Sequence, residues 1–204
     1  DKPFVEILVA NTSDKEYQPV LMHLPPYLSA EATPAVLPKE GYGKIKVTLD
    51  TDKLPKFGVT QATVYLSRFL GDKVGEENAI PVSAVLLPDF SQLTQTELQN
   101  PPVVELSTTD LKIDGVPALG KKSVNVVVKN VGKRNLEISD VQVFDSAIGV
   151  HLKKRILKPG AKTNLKITVF GQQLKNLKRT PRVMIITNDP NRPKVIVNVK
   201  ATSK

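Results

Sequence analysis

Ser123-Val-Asn-Val-Val-Val-Lys-Asn130 and, 119 residues before it, Phe4-Val-Glu-Ile-Leu-Val-Ala-Asn11 decide the fold. Both stretches are rich in β-branched and other apolar residues, carry apolar side chains at every second position, and end on asparagine. A period of two is the signature of a strand with one face packed and the other wet. The same offset places Tyr17 on Leu136, Lys39 on Lys158 and Gly41 on Gly160. An offset of 120 then places Val47 on Ile167 and Ser67 on Thr187. A near-constant offset over so long a span predicts two copies of one supersecondary plan.

Further β-rich runs follow outward from these two. In the first half they are Ile45–Leu49, Ala62–Leu66 and Pro81–Leu87. In the second they are Val104–Leu106, Leu111–Ile113, Val141–Phe144, Leu165–Val169, Val183–Thr187 and Val195–Val199. Turn residues separate them. Lys158-Pro159-Gly160 reads as a type II turn, with proline fixing one central φ and glycine supplying the positive one. Pro25-Pro26, Pro34 and Pro38 interrupt the stretch after the first strand. Many short strands cut by Gly and Pro predict an all-β chain of two tandem immunoglobulin-like β-sandwich domains. The expected boundaries are 1–88 for the first, 89–102 for a linker and 103–204 for the second. Thr94 and Glu97 have the spacing of a capping box, so a short helix is expected within the linker, pinned by Phe90, Leu93 and Leu98. The first domain has no match for residues 103–122. Either that edge strand lay upstream, or another element covers its place.

Composition narrows the chemistry. With no cysteine among 204 residues, disulfides, thiolate nucleophiles and cysteine-held metals are excluded. No apolar run reaches the length of a membrane-spanning helix. The start, Asp1-Lys2-Pro3-Phe4, shows no leader and is compatible with one having been removed. The net charge of +9 is uneven: residues 1–88 carry −2 and residues 89–204 carry +11. The second half therefore presents the stronger field.

Groups capable of catalysis are sparse. His23 and His151 are the only histidines, one per half, and neither has metal-ligand spacing. Asp50 and Asp52, with Glu76 and Glu77 in a loop near them, are read as turn carboxylates. Gly41-Tyr42-Gly43-Lys44 lacks the spacing of a phosphate loop and is read as a hairpin turn. No Gly-x-Ser-x-Gly elbow is present. The reading is a chain without enzymatic activity, cofactor or resident metal. Candidate contact residues are Lys153, Lys154, Arg155, Lys158 and Lys162 around the Pro159-Gly160 turn. A second basic stretch holds Lys175, Lys178, Arg179 and Arg182. In the first half, Arg68 and Phe69 close a β-run beside Leu70, as a binding rim or as a seal on the sandwich end. The interleaved residues of the basic stretches are aliphatic, which disfavours nucleic acid and leaves a protein or an anionic envelope polymer as partner.

The turn signatures resemble those of the immunoglobulin-like DUF1573 family, common in Bacteroidetes, and of the related ASH and major-sperm-protein-like domains. The resemblance rests on Asn130-Val-Gly132 followed by Leu136-Glu-Ile138, on Pro159-Gly160, and on Thr187-Asn-Asp-Pro190 before a last strand. The first half holds a weaker copy, with Asn11-Thr-Ser13 for the first turn and Lys39-Glu40-Gly41 for the second. The Ser-Cys-Gly-Cys-Thr segment of many such proteins is missing. The resemblance implies an exported protein of the periplasm or cell surface. The expected function is a protein-binding or structural scaffold module, with a periplasmic chaperone-like assembly factor or a carbohydrate-binding module as alternatives.

Overall fold

A computed structural model describes residues 2–177 and 179–204. The chain divides into two compact units, Asp1–Leu86 and Leu87–Lys204, and it is all-β apart from short helical turns.

The first unit holds six strands: β1 (Phe4–Ala10), β2 (Val20–Met22), β3 (Leu28–Thr33), β4 (Tyr42–Leu49), β5 (Gly58–Ser67) and β6 (Ala79–Leu86). They form two three-stranded antiparallel sheets, ordered β1-β4-β3 and β2-β5-β6. Val9, Leu21, Leu28, Leu37, Ile45, Val47 and Val64 make the core between them. The proline-rich stretch after β1, expected to be broken, contains β2 and β3. Both are short because Pro25, Pro26 and Pro34 stop the ladders, and their apolar alternation is too brief to stand out in sequence.

The second unit begins with α1 (Gln95–Gln99) and continues through β7 (Val104–Leu106), β8 (Asp110–Val116), β9 (Lys121–Asn130), β10 (Leu136–Val143), β11 (Ile148–Leu152), β12 (Ile156–Leu157), β13 (Lys162–Phe170), α2 (Gly171–Leu174), β14 (Arg182–Thr187) and β15 (Lys194–Ser203). One sheet is ordered β11-β13-β9-β7 and the other β12-β10-β14-β15-β8. Among the described residues, β8 alone runs parallel to its partner, β15. Inward residues of both sheets, such as Val126, Leu165, Ile167, Val183 and Val197, are wholly buried. Each contributes about 1.5–3 kcal/mol by leaving water.

The repeat is visible atom by atom. Asn11 and Asn130, each at the end of its strand, are buried polar residues. The Asn130 amide donates to the Arg134 carbonyl (2.7 Å) and the Leu157 carbonyl (2.9 Å), and its oxygen accepts from the Gly132 N–H (3.0 Å). The Asn11 amide donates to the Lys15 carbonyl (2.7 Å) and the Pro38 carbonyl (2.9 Å), and its oxygen accepts from the Ser13 N–H (3.0 Å). Each asparagine therefore holds two separate chain segments against a strand end. The turn after the second clamp differs from the expected alignment. Gly160 takes φ +78° in the type II position, and its counterpart is Glu40 at φ +51°, not Gly41. The offset has already become 120 at this turn.

Gly132 shows why the two copies differ. A Cβ there would lie 2.4 Å from both the Pro101 carbonyl oxygen and the Val103 nitrogen, because the lead into β7 crosses over it. Ser13 stands at the matching place in the first unit and uses its hydroxyl to donate to the Asn11 oxygen (2.7 Å). In the second unit that same oxygen also accepts the Val103 N–H (3.4 Å).

Residues 87–102 pack as part of the second unit. Thr94 caps α1 by accepting the Glu97 N–H, and Glu97 accepts the Thr94 N–H (2.9 Å), so the expected capping box forms. The Glu97 carboxylate also pairs with Arg134 (2.9 Å). Of the three residues of the expected apolar pin, Phe90 and Leu93 are half-buried and Leu98 is exposed. At the far end, Asp189 is buried and accepts the N–H groups of Val104 (2.9 Å), Asn191 (2.9 Å) and Arg192 (3.3 Å). It ties β7 to the hairpin between β14 and β15.

Two outcomes are expected. Asn130→Ala and Asn11→Ala each strand buried carbonyls, at a cost of about 2–3 kcal/mol to the unit concerned. Hydrogen exchange read unit by unit in urea checks this; a loss below about 1 kcal/mol in either unit overturns the clamp. For α1, the Thr94 N–H, then its hydroxyl, then Arg134 hold the Glu97 carboxyl below its ordinary value. Its contribution is complete above the unfolded value of about 4.3 and disappears as pH falls through the lower folded value. Amides of 98–100 should exchange faster, relative to intrinsic rates, as pH drops from about 5 to about 3. Glu97→Gln should flatten that dependence.

Candidate functional site

Surface chemistry in the second unit gathers on the outer face of the β11-β13-β9-β7 sheet. Strand pleating sends Leu165, Ile167, Val126 and Val128 inward and leaves Lys162, Asn164, Lys166, Asn125 and Lys129 exposed. Register sets these residues side by side: Lys162 opposes Lys129, Lys166 opposes Asn125, and His151 of β11 opposes Lys166. Like charges directly opposed across a ladder cost a few tenths of a kcal/mol or more. Glu105 of β7 stands in register with Lys129 at the rim. Among the described residues, no ion pair engages Lys129, Lys162 or Lys166 within 4.0 Å. The result is a face with three ammonium groups, Asn164 between two of them, Asn125 and Val127 on the neighbouring strand, a histidine at one side and the Glu105 carboxylate at the rim.

The residues singled out in sequence do not all reach this face. Lys162 does. Lys153 and Lys154 lie exposed in the connection from β11 to β12, where the chain crosses from one sheet to the other. Arg155 faces the other sheet: its guanidinium donates to the carbonyls of Ile138 (3.3 Å) and Ser139 (3.2 Å). These carbonyls flank the register shift between Ile138 and Asp140, so Arg155 satisfies a bulge. Lys158 is exposed in the type II turn, whose closing bond runs from the Ala161 N–H to the Lys158 carbonyl (2.9 Å). In the second basic stretch, Lys175 and Arg179 are exposed near α2 and Arg182 opens β14 on the other sheet; Lys178 lies outside the described residues. Lys129 and Lys166 were not singled out. Lys166 carries a faint signal, four residues after Lys162 on one strand, but Lys129 joins them only through register.

Arg68 is committed within its own loop in the first unit. Its Nε and Nη2 donate to the two oxygens of Asp72 (2.9 and 3.2 Å). This bidentate pair holds the Asp72 carboxyl below its ordinary value and raises Arg68. Phe69 is 54% exposed and Leu70 82%, so neither seals the end of the sandwich.

The remaining candidates are occupied by ordinary structural work. Asp50 accepts from Lys2 (2.8 Å) and pairs with Lys53 (3.4 Å), and these two bonds lower its carboxyl. His23, at φ +60°, meets Tyr65 edge-on with centroids 5.1 Å apart. Among the described residues no three histidine, aspartate or glutamate side chains stand close enough to hold a metal ion. None of their helices is long and apolar enough to cross a membrane. An open cleft of about 460 Å³ at one end of the second unit is lined by Lys121, Ser146, Phe170, Gln172 and Gln173 among others. Its polar groups can donate and accept hydrogen bonds, and it contains no carboxylate or imidazole to move a proton.

Comparison with known proteins agrees with this architecture. No curated protein sequence matches the chain. A crystal structure of a protein of unknown function from Porphyromonas gingivalis W83 superposes with a TM-score of 0.73 at 24% identity, over 98% of this chain and 91% of that one. Weaker likenesses are to the ASH/PapD-like domain of human CEP192 (TM-score 0.36, 10% identity, 57% and 96% covered) and to the Pseudomonas aeruginosa CupB2 chaperone (TM-score 0.28, 13% identity, 97% and 92% covered). Residues 102–202 match the family model of the HYDIN/CFA65/VesB-like Ig-like domain, so the sequence match falls on the second unit while the first-named fold likeness extends over both.

Proposed function

We propose that this chain is a non-enzymatic protein-binding scaffold module of the cell envelope, of the DUF1573-like kind, whose second unit holds an acidic partner protein. The observation that carries this reading is the lysine face of the β11-β13-β9-β7 sheet. Opposed Lys129 and Lys162 cost the fold something, and neither they nor Lys166, two outward positions along β13, take a neutralising partner within 4.0 Å among the described residues. A complementary row of carboxylates removes that repulsion on binding. A sheet face suits a protein surface, and neutral Asn164 between Lys162 and Lys166, with Asn125 opposite Lys166, supplies hydrogen bonds that a diffuse polyanion does not need. Export to the periplasm or cell surface belongs to the same proposal and is supported by the turn signatures of Asn130-Val-Gly132 and Thr187-Asn-Asp-Pro190.

The test is a crosslinking capture from envelope extract with three baits: wild type, Lys129→Glu/Lys162→Glu/Lys166→Glu, and Lys112→Glu/Lys200→Glu on the opposite sheet. One protein should be captured by wild type and by the second variant and reduced about tenfold with the first. Its binding should weaken as salt rises from about 0.1 to about 1 M. Equal capture by all three baits, or capture indifferent to salt, refutes the lysine face as the binding surface.

A further inference from the structure

Three turns build the open cleft at one end of the second unit. The turn from β8 to β9 is closed by the Gly120 N–H, which donates to the Pro117 carbonyl (3.0 Å). In the loop from β10 to β11 the Ile148 N–H donates to the Asp145 carbonyl (3.2 Å) and the Ala147 N–H to Asp145 Oδ1 (2.8 Å). The entry to α2 is tied to both turns: the Gly171 N–H donates to the Gly120 carbonyl (2.9 Å) and the Phe170 N–H to the Ala147 carbonyl (2.9 Å). Gly171 is buried, and a Cβ there would strike the Pro117 carbonyl, so α2 and the first turn meet backbone to backbone. These N–H groups are spent on the fold, and recognition falls chiefly to side chains. Phe170 ends β13 in register with Lys121 of β9. Its ring lies over Gly149, where a Cβ would come within 3.2 Å of a ring carbon, so the glycine gives the ring its place. Leu119 is 87% exposed beside it. Ser146, Gln172 and Gln173 bring a hydroxyl and two amides to the same cleft. Among the described residues, no ion pair engages Lys121 within 4.0 Å.

We propose that this cleft binds a hexuronic acid unit of a glycan. The C–H face of the sugar lies on Phe170 and Leu119, its hydroxyls meet Ser146, Gln172 and Gln173, and its carboxylate pairs with Lys121. Hydroxyl and amide side chains both donate and accept, which matches the hydroxyls of a sugar. The volume of about 460 Å³ falls within the range of small-ligand sites, about 300–1,000 Å³. Other ligand classes fit less well. A wholly apolar ligand leaves the amides without partners. A phosphate is held best by converging N–H groups, and those of Gly120, Phe170 and Gly171 are already donated. A neutral sugar leaves the Lys121 ammonium unused. The site does not rest on the reading of the lysine face, since Lys162 stands eight residues from Phe170 along β13, roughly 26 Å away.

The test is an amide NMR titration of the whole isotope-labelled chain with galacturonic acid, glucuronic acid, the galacturonic acid trimer and galactose. At least one of the acids should give saturable shifts at 119–121, 146 and 170–173, with a Kd of about 1 mM or tighter. Galactose should bind about tenfold more weakly, and Lys121→Gln should erase that difference. Phe170→Ala and Gln173→Ala should each weaken the acid about fivefold or more. Unchanged shifts away from the cleft show that each variant is folded, and Gln172→Ala, at an exposed position, repeats the test without touching the ring. Tighter binding of the trimer than of the monomer places the cleft on a glycan chain; equal binding places it on a single sugar unit. Lys129→Glu/Lys162→Glu should leave all these affinities within about twofold, which separates this site from the lysine face. Absence of saturable shifts at the cleft with all three acids overturns the proposal. So does binding that survives Phe170→Ala and Gln173→Ala but is lost with Lys129→Glu/Lys162→Glu, which marks attraction by charge alone.

Discussion

A buried asparagine at the end of one strand carries each unit. Asn130 and Asn11 offer two donors and an acceptor at a place where three stretches of backbone meet and no ladder can pair them all. The amide solves a bookkeeping problem of unpaired carbonyls without introducing a charge. With the following turn held by Arg134 or Lys15, and the distant turn held at Leu157 or Pro38, the strands on either side are fixed in direction. The hydrophobic core then has one way to close.

The alternation around Val126 and Ile7, the near-constant offset of the two halves, and the turn residues at Asn130, Pro159 and Asp189 made the all-β sandwich legible from sequence alone. These signals are local: period, turn chemistry and spacing. What stayed hidden depends on three-dimensional register. Strands β2 and β3 are too short and too broken by proline to show a period. The basic run from Lys153 to Lys162 is continuous in sequence, but the chain changes sheets inside it. Arg155 is therefore spent on the bulge at Ile138, and Lys162 joins Lys129, a residue with no basic neighbour in its own strand beyond Lys121 and Lys122. A charge run read along the chain is thus a poor guide to a charged face in a sandwich, where neighbours across the ladder matter more than neighbours in sequence.

The degraded motif in the first half also has a physical reading. Glycine at position 132 is required by a chain crossing above it, and position 13 has no such crossing, so serine is tolerated and even used. Glu40 at φ +51° likewise accepts mild strain where Gly160 has none. The turn chemistry of each copy thus follows the chain that crosses it.

The parallel pairing of β8 with β15 has a mechanical consequence. These strands stand near opposite ends of the second unit's sequence, so tension applied to those ends pulls them in opposite directions along their shared ladder. Every hydrogen bond between them is then loaded together in shear, and the Asp189 contact to Val104 adds a further tie. Among the described residues the strands of the first unit pair only antiparallel. Stretched as a tether, the second unit is built to resist load.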